Sequence, residues 1–245
     1  MWKIIGGSVA GTSHTRVGKG CEDAHAWRLG SGIVCAAVAD GAGSKPMSAA
    51  GSAIAVETVR ELAGNLTGCD PVPPPEQWLR AVFDEVHRRI ASEAGGRERD
   101  RRDFATTLAI AVIIGDTLGI AQIGDTVVVA GGPAGYETID PDAHDEYANE
   151  TVFVTHHDFA DRIRLTTRPA PTVDELFLST DGLRYKILDN LAESKPYTPF
   201  FTDVAAYART PSATSDAIVK FLDGVDDQTG DDLTLVVAVR EAEGG

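Results

Sequence analysis

The chain has 245 residues, of which 43% are hydrophobic and 24% charged, the composition of a globular protein with one domain. Its formal net charge of −15 argues against nucleic acid or an anionic membrane as the main partner. Three widely spaced cysteines suggest neither a disulfide framework nor a zinc motif, and the longest apolar run is far too short to span a bilayer. We therefore expect a soluble, cytoplasmic protein with a single domain over residues 1–245.

The first half of the chain is predicted to contain a buried strand followed by two helices. Residues 33–39 are almost purely apolar and lead into Asp40, which predicts a strand that is buried on both faces. The spacing of apolar residues predicts a helix over 49–62. After a Pro-rich loop, a second amphipathic helix is predicted over 76–93.

From Phe104 onward the pattern changes to short strands. Residues 106–114, 118–123 and 126–130 are apolar segments joined by Gly-Asp turns, which predicts an antiparallel meander. Residues 131–150 are rich in Gly, Pro and acidic residues and are predicted to form a loop. Further along, the sequence predicts strands over 151–155, 175–179 and 233–239, a helix over 215–222, and an irregular or partly helical segment over 184–212.

These elements predict the architecture of the domain. Two long helices combined with many antiparallel strands are typical of an α+β fold. We expect two face-to-face antiparallel sheets, a β-sandwich, with helices on both sides, so that the layers follow the order αββα. In such a fold the ends of several strands can converge on one cleft.

Acidic residues occur at three of the predicted strand ends. Asp40 and Asp181 each follow an apolar strand and precede a glycine, and Asp231 lies just before the last strand. Carboxylates gathered in one cleft would repel one another unless cations were bound between them, and Mg²⁺ and Mn²⁺ prefer such oxygen ligands. A single Asp-Gly pair would be an ordinary turn, so the prediction depends on several such sites in a fixed order.

Six short motifs, in order along nearly the whole chain, resemble those of the type-2C metal-dependent Ser/Thr protein phosphatases, the PPM family. They are Cys21-Glu22-Asp23-Ala24-His25, Val38-Ala39-Asp40-Gly41-Ala42-Gly43, Phe104-Ala105-Thr106-Thr107, Ile123-Gly124-Asp125-Thr126, Ser179-Thr180-Asp181-Gly182-Leu183 and Asp231-Asp232-Leu233-Thr234. The opening Gly11-Thr12-Ser13-His14 also resembles a bacterial stand-alone, PphC-like subgroup. Each motif is weak alone, but six in order are specific.

The resemblance implies a catalytic metal centre built from Asp40, Asp181 and Asp231. Asp40 would bridge two Mn²⁺ or Mg²⁺ ions, the backbone carbonyl of Gly41 would help to bind one of them, and Asp181 and Asp231 would hold the other. A water bridging the two ions would become a hydroxide near neutral pH and attack phosphorus directly, without a covalent enzyme intermediate.

Four further acidic residues receive roles from the same resemblance. Glu22 would contact an ion directly or through water, and Asp23 and Asp232 would support the ligands from behind. Asp125 would join Asp181 at a weaker third ion. The segment around Asp116 repeats the four letters Ile-Gly-Asp-Thr, but Asp125 is preferred because it follows the second strand of the meander, as the family motif does.

The chain departs from the family pattern in the region that would hold the substrate phosphate. Many members carry an Arg four residues before the early Glu, where this chain has Gly18. The neighbouring Arg16 and Lys19 are candidates for the phosphate contact or are solvated surface cations. Some members have a His directly after the first Asp-Gly, where this chain has Ala42.

The resemblance also implies the partners: phosphorylated protein substrates, of a cognate Ser/Thr kinase, for a monomeric enzyme. Two other functions remain open from the sequence. The same fold could serve as a non-catalytic regulator that binds phosphoproteins, or as a two-metal hydrolase of small phosphate esters.

Overall fold

Within residues 1–139, 151–226 and 228–241, which this computed structural model describes, the chain forms twelve β-strands and six α-helices. The strands are β1 (Trp2–Val9), β2 (Ala24–Gly30), β3 (Ile33–Ala39), β4 (Leu108–Ile114), β5 (Thr117–Ile123), β6 (Val127–Gly132), β7 (Gly135–Thr138), β8 (Arg164–Pro169), β9 (Glu175–Ser179), β10 (Leu188–Asn190), β11 (Lys195–Pro196) and β12 (Leu233–Arg240). The helices are α1 (Thr12–Arg16), α2 (Ser48–Leu66), α3 (Pro75–Gly96), α4 (Arg184–Ile187), α5 (Thr198–Ala208) and α6 (Ser215–Asp223).

The long strands form two five-stranded antiparallel sheets that pack face to face. The first sheet has the strand order β1-β12-β9-β6-β7, and the second has the order β2-β3-β4-β5-β8. The short strands β10 and β11 pair separately as a small ribbon. This arrangement confirms the predicted α+β fold with two antiparallel sheets.

Apolar side chains form three clusters, one between the two sheets and one between each sheet and the helices outside it. The four layers of secondary structure therefore follow the order αββα. Because successive residues of a strand point to opposite faces, Val38 of β3 packs between the sheets, whereas Cys35 packs against α2 and α3. On the other side, Phe177 of β9 packs against Phe201 of α5. Strand β3 is therefore buried on both faces, as its almost purely apolar sequence predicts.

The predicted three-stranded meander is wrong in its last strand. Strands β4 and β5 form the expected hairpin, but β6 crosses to the other sheet and pairs with β7 and β9. The turn between β5 and β6 contains Gly124 with φ 101°, a conformation that favours glycine. Short apolar strands joined by Gly-Asp turns look alike whether the chain stays in one sheet or changes sheets, so the sequence pattern does not distinguish the two.

Other differences between the predicted and the observed structure concern individual strands. The predicted strand over 151–155 is wrong: residues 151–153 have no regular secondary structure and residues 154–155 lie in a turn, where Val154 N–H donates to Thr106 O at 2.9 Å. Strands β1, β2 and β8 were not predicted, because they carry glycines or exposed polar residues that weaken the apolar pattern. The predicted loop over 131–150 contains β7, and residues 140–150 lie outside the described part of the chain.

The helical predictions are confirmed, with small changes in length. Helices α2 and α3 begin and end a few residues beyond their predicted limits, and α3 has Pro75 in its first turn, where proline is favourable. The segment predicted as irregular or partly helical contains α4, the β10-β11 ribbon and α5. All three cysteines are free thiols. Among the described residues, no helix combines the length and apolar character needed to cross a membrane.

Candidate metal centre

Three carboxylates from both sheets converge at one edge of the sandwich. Asp40, Asp125 and Asp181 follow β3, β5 and β9, and each offers an oxygen within 4.8 Å of the other two. Strands β3 and β5 end at the same edge because both are antiparallel to β4. Asp231 precedes β12, which starts beside the end of β9, and it lines the same pocket of about 290 Å³. The structure thus brings together the four strand-end aspartates that the sequence singled out.

The backbone of Asp40 is held by the two threonines of the Phe-Ala-Thr-Thr motif. Its N–H donates to Thr107 Oγ1 at 2.9 Å, and its carbonyl accepts from Thr107 N–H and from Thr106 Oγ1, each at 2.9 Å. The next residue, Gly41, is pressed against the chain so closely that an added Cβ would lie 2.5 Å from Glu22 O. A hydroxyl pair and a glycine at these positions therefore fix where the Asp40 carboxylate emerges.

The carboxylate cluster is electrostatically unfavourable without cations. Burial, followed by repulsion from neighbouring carboxylates, raises the pKa of Asp40 to about 10 and that of Asp181 to about 6. In addition, Asp181 Oδ1 is buried and has no hydrogen-bond partner. A set of carboxylate oxygens with an unsatisfied acceptor fits hard divalent ions such as Mg²⁺ and Mn²⁺.

Glu22 is not part of the group of Asp40, Asp125 and Asp181 and lies beside the loop that follows β3. It is 9% exposed, and its backbone N–H donates to Asp232 Oδ2 at 2.6 Å. Its side-chain Oε1 lies 3.3 Å from Lys19 Nζ, whereas its Oε2 is buried without a hydrogen-bond partner. Glu22 thus presents a free acceptor, as expected of a residue that contacts a cation directly or through water.

Asp23 lies behind the pocket and joins two strand ends. Its Oδ2 accepts hydrogen bonds from Thr180 Oγ1 at 2.7 Å and from Thr234 Oγ1 at 2.8 Å. Burial raises its pKa to about 8, although the two hydroxyl donors act in the opposite direction. Because Thr180 precedes Asp181 in sequence, Asp23 helps to fix the backbone from which that carboxylate projects.

Asp232 also points away from the pocket. It is 2% exposed and accepts hydrogen bonds from Gly11 N–H at 2.8 Å, His14 Nδ1 at 2.8 Å and Glu22 N–H at 2.6 Å. Its carboxylate therefore ties the loop before β2 and the N-terminal segment around α1 to the start of β12. Asp23 and Asp232 thus do not line the pocket and form hydrogen bonds to segments that carry candidate ligands.

The two candidate phosphate-binding cations differ in position. Arg16 is exposed on α1 and does not line the pocket. Lys19 Nζ lies 3.3 Å from Glu22 Oε1 and 3.0 Å from Gly43 O, at the rim of the site. Gly18 is exposed, with φ 71° and open space around it. Of the two cations, only Lys19 is placed beside the candidate ligands.

Several residues that line the pocket were not predicted from the sequence, among them His14, Thr151 and Phe153. His14 belongs to a motif that was noted, but its partner Asp232 is 218 residues away, and no local signal links the two. Thr151 and Phe153 lie in the segment predicted as a strand, and Thr151 Oγ1 donates to Asp125 Oδ2 at 3.1 Å. Only the folded chain reveals that this segment reaches the carboxylates.

Comparisons with known proteins identify the family that this chain resembles. The family model for "Protein phosphatase 2C" matches residues 10–223. Serine/threonine-protein phosphatase 3 of Escherichia coli (strain K12) is 28% identical over an alignment of 255 residues, which covers 97% of this chain and 98% of that protein.

Solved structures share the fold at lower identity. The serine/threonine phosphatase Stp1 from Staphylococcus aureus superposes with a TM-score of 0.65 at 17% identity, over 99% of this chain and 96% of that one. PppA, a key regulatory component of T6SS in Pseudomonas aeruginosa, superposes with a TM-score of 0.64 at 21% identity, over 97% of each chain. At such identities these two superpositions establish the fold alone.

Proposed function

Because this chain belongs to the protein phosphatase 2C family, we propose that it hydrolyses phosphoserine and phosphothreonine in proteins with two bound Mn²⁺ or Mg²⁺ ions and a third held more weakly. The observation that carries the metal part of the proposal is the group of Asp40, Asp125 and Asp181, whose oxygens lie within 4.8 Å of one another. A buried, unpartnered oxygen on Asp181 supports it, because such an acceptor is costly unless a cation satisfies it.

The proposal assigns a role to each acidic residue. Asp40 would contact two ions, the carbonyl oxygen of Gly41 would help to hold one of them, and Asp181 and Asp231 would hold the other. Asp125 lies against Asp40 and Asp181 and holds the weaker third ion together with Asp181. These roles agree with the placement of the strand ends in one pocket.

Supporting residues complete the centre. Glu22 contacts an ion through its unpartnered Oε2, either directly or through water. Asp23 and Asp232 hold the ligand-bearing segments from behind through their hydrogen bonds to Thr180, Thr234 and the backbone of Glu22.

Bound ions would supply the two elements that phosphate-ester hydrolysis most needs, activation of the attacking water and neutralisation of the phosphoryl oxygens. The chain's own residues position these elements, because the threonine clamp on Asp40 and the strand ends fix the carboxylates before substrate arrives. Lys19, at the rim, is the candidate for an additional contact to the substrate phosphate, and Arg16 is the less favourable candidate.

The proposed substrates are phosphorylated proteins. The Escherichia coli relative is named a serine/threonine-protein phosphatase, and its match covers nearly the whole of both chains. A cognate Ser/Thr kinase that produces the substrate, and a monomeric enzyme, are part of the same proposal.

The test is dephosphorylation of phosphoserine, phosphothreonine and phosphotyrosine peptides by purified protein, with Mn²⁺ or Mg²⁺ and with excess chelator. We expect release of phosphate from the first two peptides, dependence on metal, and much slower hydrolysis of a small aryl phosphate. Activity restricted to small esters would contradict the protein-substrate assignment. Binding of phosphopeptides without hydrolysis would support a non-catalytic regulator instead.

A further inference from the structure

His14 forms part of the pocket wall outside the group of carboxylates. It is 9% exposed, and among the described residues that line this pocket it is the one basic side chain. Gly43 lies against it, and an added Cβ at Gly43 would be 3.2 Å from His14 Nε2. The absence of a side chain at Gly43 therefore leaves the Nε2 edge of the imidazole open.

The imidazole of His14 is oriented by a buried carboxylate. Its Nδ1 lies 2.8 Å from Asp232 Oδ1, and Asp232 also accepts the N–H groups of Gly11 and Glu22. When the imidazole is neutral and Nδ1 donates in this hydrogen bond, Nε2 carries the lone pair that a metal ion would bind. A carboxylate that receives the second ring N–H is the arrangement that orients histidine ligands in metal sites.

The second ring nitrogen of His14 faces a side-chain oxygen of Glu22. His14 Nε2 lies 3.5 Å from Glu22 Oε2, an oxygen that is buried and has no hydrogen-bond partner. With the imidazole neutral, two acceptors face each other, and a metal ion shared between them removes their repulsion. Adjacent ligands of an octahedral ion with bonds of about 2.1 Å are roughly 3 Å apart, so a small approach of the two side chains would suffice.

We propose that His14 Nε2 is a ligand, beside Glu22, of one ion in the proposed metal centre; this inference depends on the proposed function. The ligand set at that position is then mixed nitrogen and oxygen, unlike the all-oxygen group of Asp40, Asp125 and Asp181. Imidazole suits Mn²⁺ less than later transition metals but much better than it suits Mg²⁺. The consequence is a preference for a transition-metal ion at the position between His14 and Glu22.

Pulsed electron paramagnetic resonance on the Mn²⁺-loaded protein tests this directly. We expect a ¹⁴N coupling from a directly bound imidazole, replaced by a ¹⁵N coupling when the protein is made with ¹⁵N-histidine. H14Q should lose the coupling and weaken Mn²⁺ binding by on the order of tenfold, with a much smaller change for Mg²⁺. H157Q is the matched control, because the His157 side chain is 86% exposed and should leave both properties unchanged.

The outcomes separate this inference from the proposed function. A protein that binds Mn²⁺ and dephosphorylates peptides but shows no histidine coupling would overturn the role of His14 and leave the function standing. A protein that binds no Mn²⁺ would overturn both. If H14Q did not fold, the isotope experiment on the wild-type chain would still decide whether a histidine binds the ion.

Discussion

Two segments with the same four letters, Ile-Gly-Asp-Thr, lie at opposite ends of β5 and have different surroundings. The first contains Asp116, which is exposed in the β4-β5 hairpin, where its carbonyl accepts from Ala170 N–H at 2.9 Å. The second contains Asp125, whose carboxylate lies within 4.8 Å of those of Asp40 and Asp181. Local sequence is the same, so the difference comes from which edge of the sandwich each turn occupies.

The topology explains the difference. Strands β3 and β5 run in the same direction on either side of β4, so the turn after β5 lies at the same edge as the residue after β3. The hairpin before β5 lies at the far edge. The same four-residue motif thus contributes to a cluster of mutually repelling carboxylates at one end of β5 and forms an ordinary turn at the other.

The largest expected effect comes from the centre of the cluster. Replacing Asp40 or Asp181 with Asn removes a ligand charge from the ions that would neutralise the phosphoryl oxygens, an effect of several kcal/mol. We expect D40N and D181N to lose at least about 1000-fold in kcat, since each tenfold corresponds to about 1.4 kcal/mol. The measurement is steady-state turnover of a phosphothreonine peptide at saturating Mn²⁺, with circular dichroism as the control for folding. Turnover within tenfold of wild type would contradict the assignment.

The stability of the metal-free protein should depend on pH in a direction set by the same cluster. The pKa values of Asp40 and Asp181 are raised to about 10 and about 6, above the value of about 4 for an unfolded aspartate. The folded protein therefore keeps protons that the unfolded chain releases, and the free energy of unfolding falls as pH rises above about 4. We expect the Tm in chelator to fall between pH 5.5 and pH 8, by about 2–4 °C for each kcal/mol lost.

Two comparisons sharpen that prediction. D40N should have a higher Tm than wild type at pH 8 in chelator and a weaker pH dependence, because one carboxylate of the repelling group is gone. Saturating Mn²⁺ should reverse the trend in wild type. An identical pH dependence in D40N and wild type would show that the cluster does not control stability.

A smaller effect is expected at the rim. Lys19 lies beside Glu22 and Gly43 O, but its side chain is 42% exposed, so any phosphate contact is weakened by solvent. We expect K19M to raise KM for a small phosphomonoester about two- to fivefold, as an exposed ion pair of up to about 1 kcal/mol allows. R16M is the matched control and should change KM little.

The same KM measurement tests Gly18, the position at which many family members have an arginine. Gly18 is exposed and has φ 71°, a conformation that side chains rarely adopt, so G18R should strain the backbone of this loop. We expect no gain in affinity. A several-fold lower KM in G18R would show that the loop rearranges to use the new side chain, contrary to its position in the structure.

The layered fold could be predicted from sequence because burial on both faces leaves a strong pattern. Strand β3 is almost purely apolar, and α2 and α3 carry long apolar stripes, so their existence and type were clear. The edge strands were missed because half-exposed residues do not produce that pattern. The transfer of β6 to the other sheet was missed because pairing between distant strands has no local signature.

The candidate site likewise contains residues that could be predicted from the sequence and residues that could not. Asp40, Asp181 and Asp231 could be identified because each adjoins a strongly apolar strand and belongs to an ordered series of motifs. The relation between His14 and Asp232 could not, because the hydrogen bond joins segments 218 residues apart. The proximity of Thr151 to Asp125 is of the same kind, since the hydrogen bond joins residues 26 positions apart and depends on how a segment without regular secondary structure packs.

The most direct test of the account is the Mn²⁺ dependence of turnover in D125N and D116N, measured side by side with wild type. These variants make the same chemical change in the same four-letter sequence at the two ends of β5. We expect D125N to need a clearly higher Mn²⁺ concentration and to turn over more slowly, whereas D116N should follow the wild-type curve within error. Equal effects of the two substitutions, or an effect confined to D116N, would contradict the claim that the edge bearing Asp40, Asp125 and Asp181 holds the metal ions.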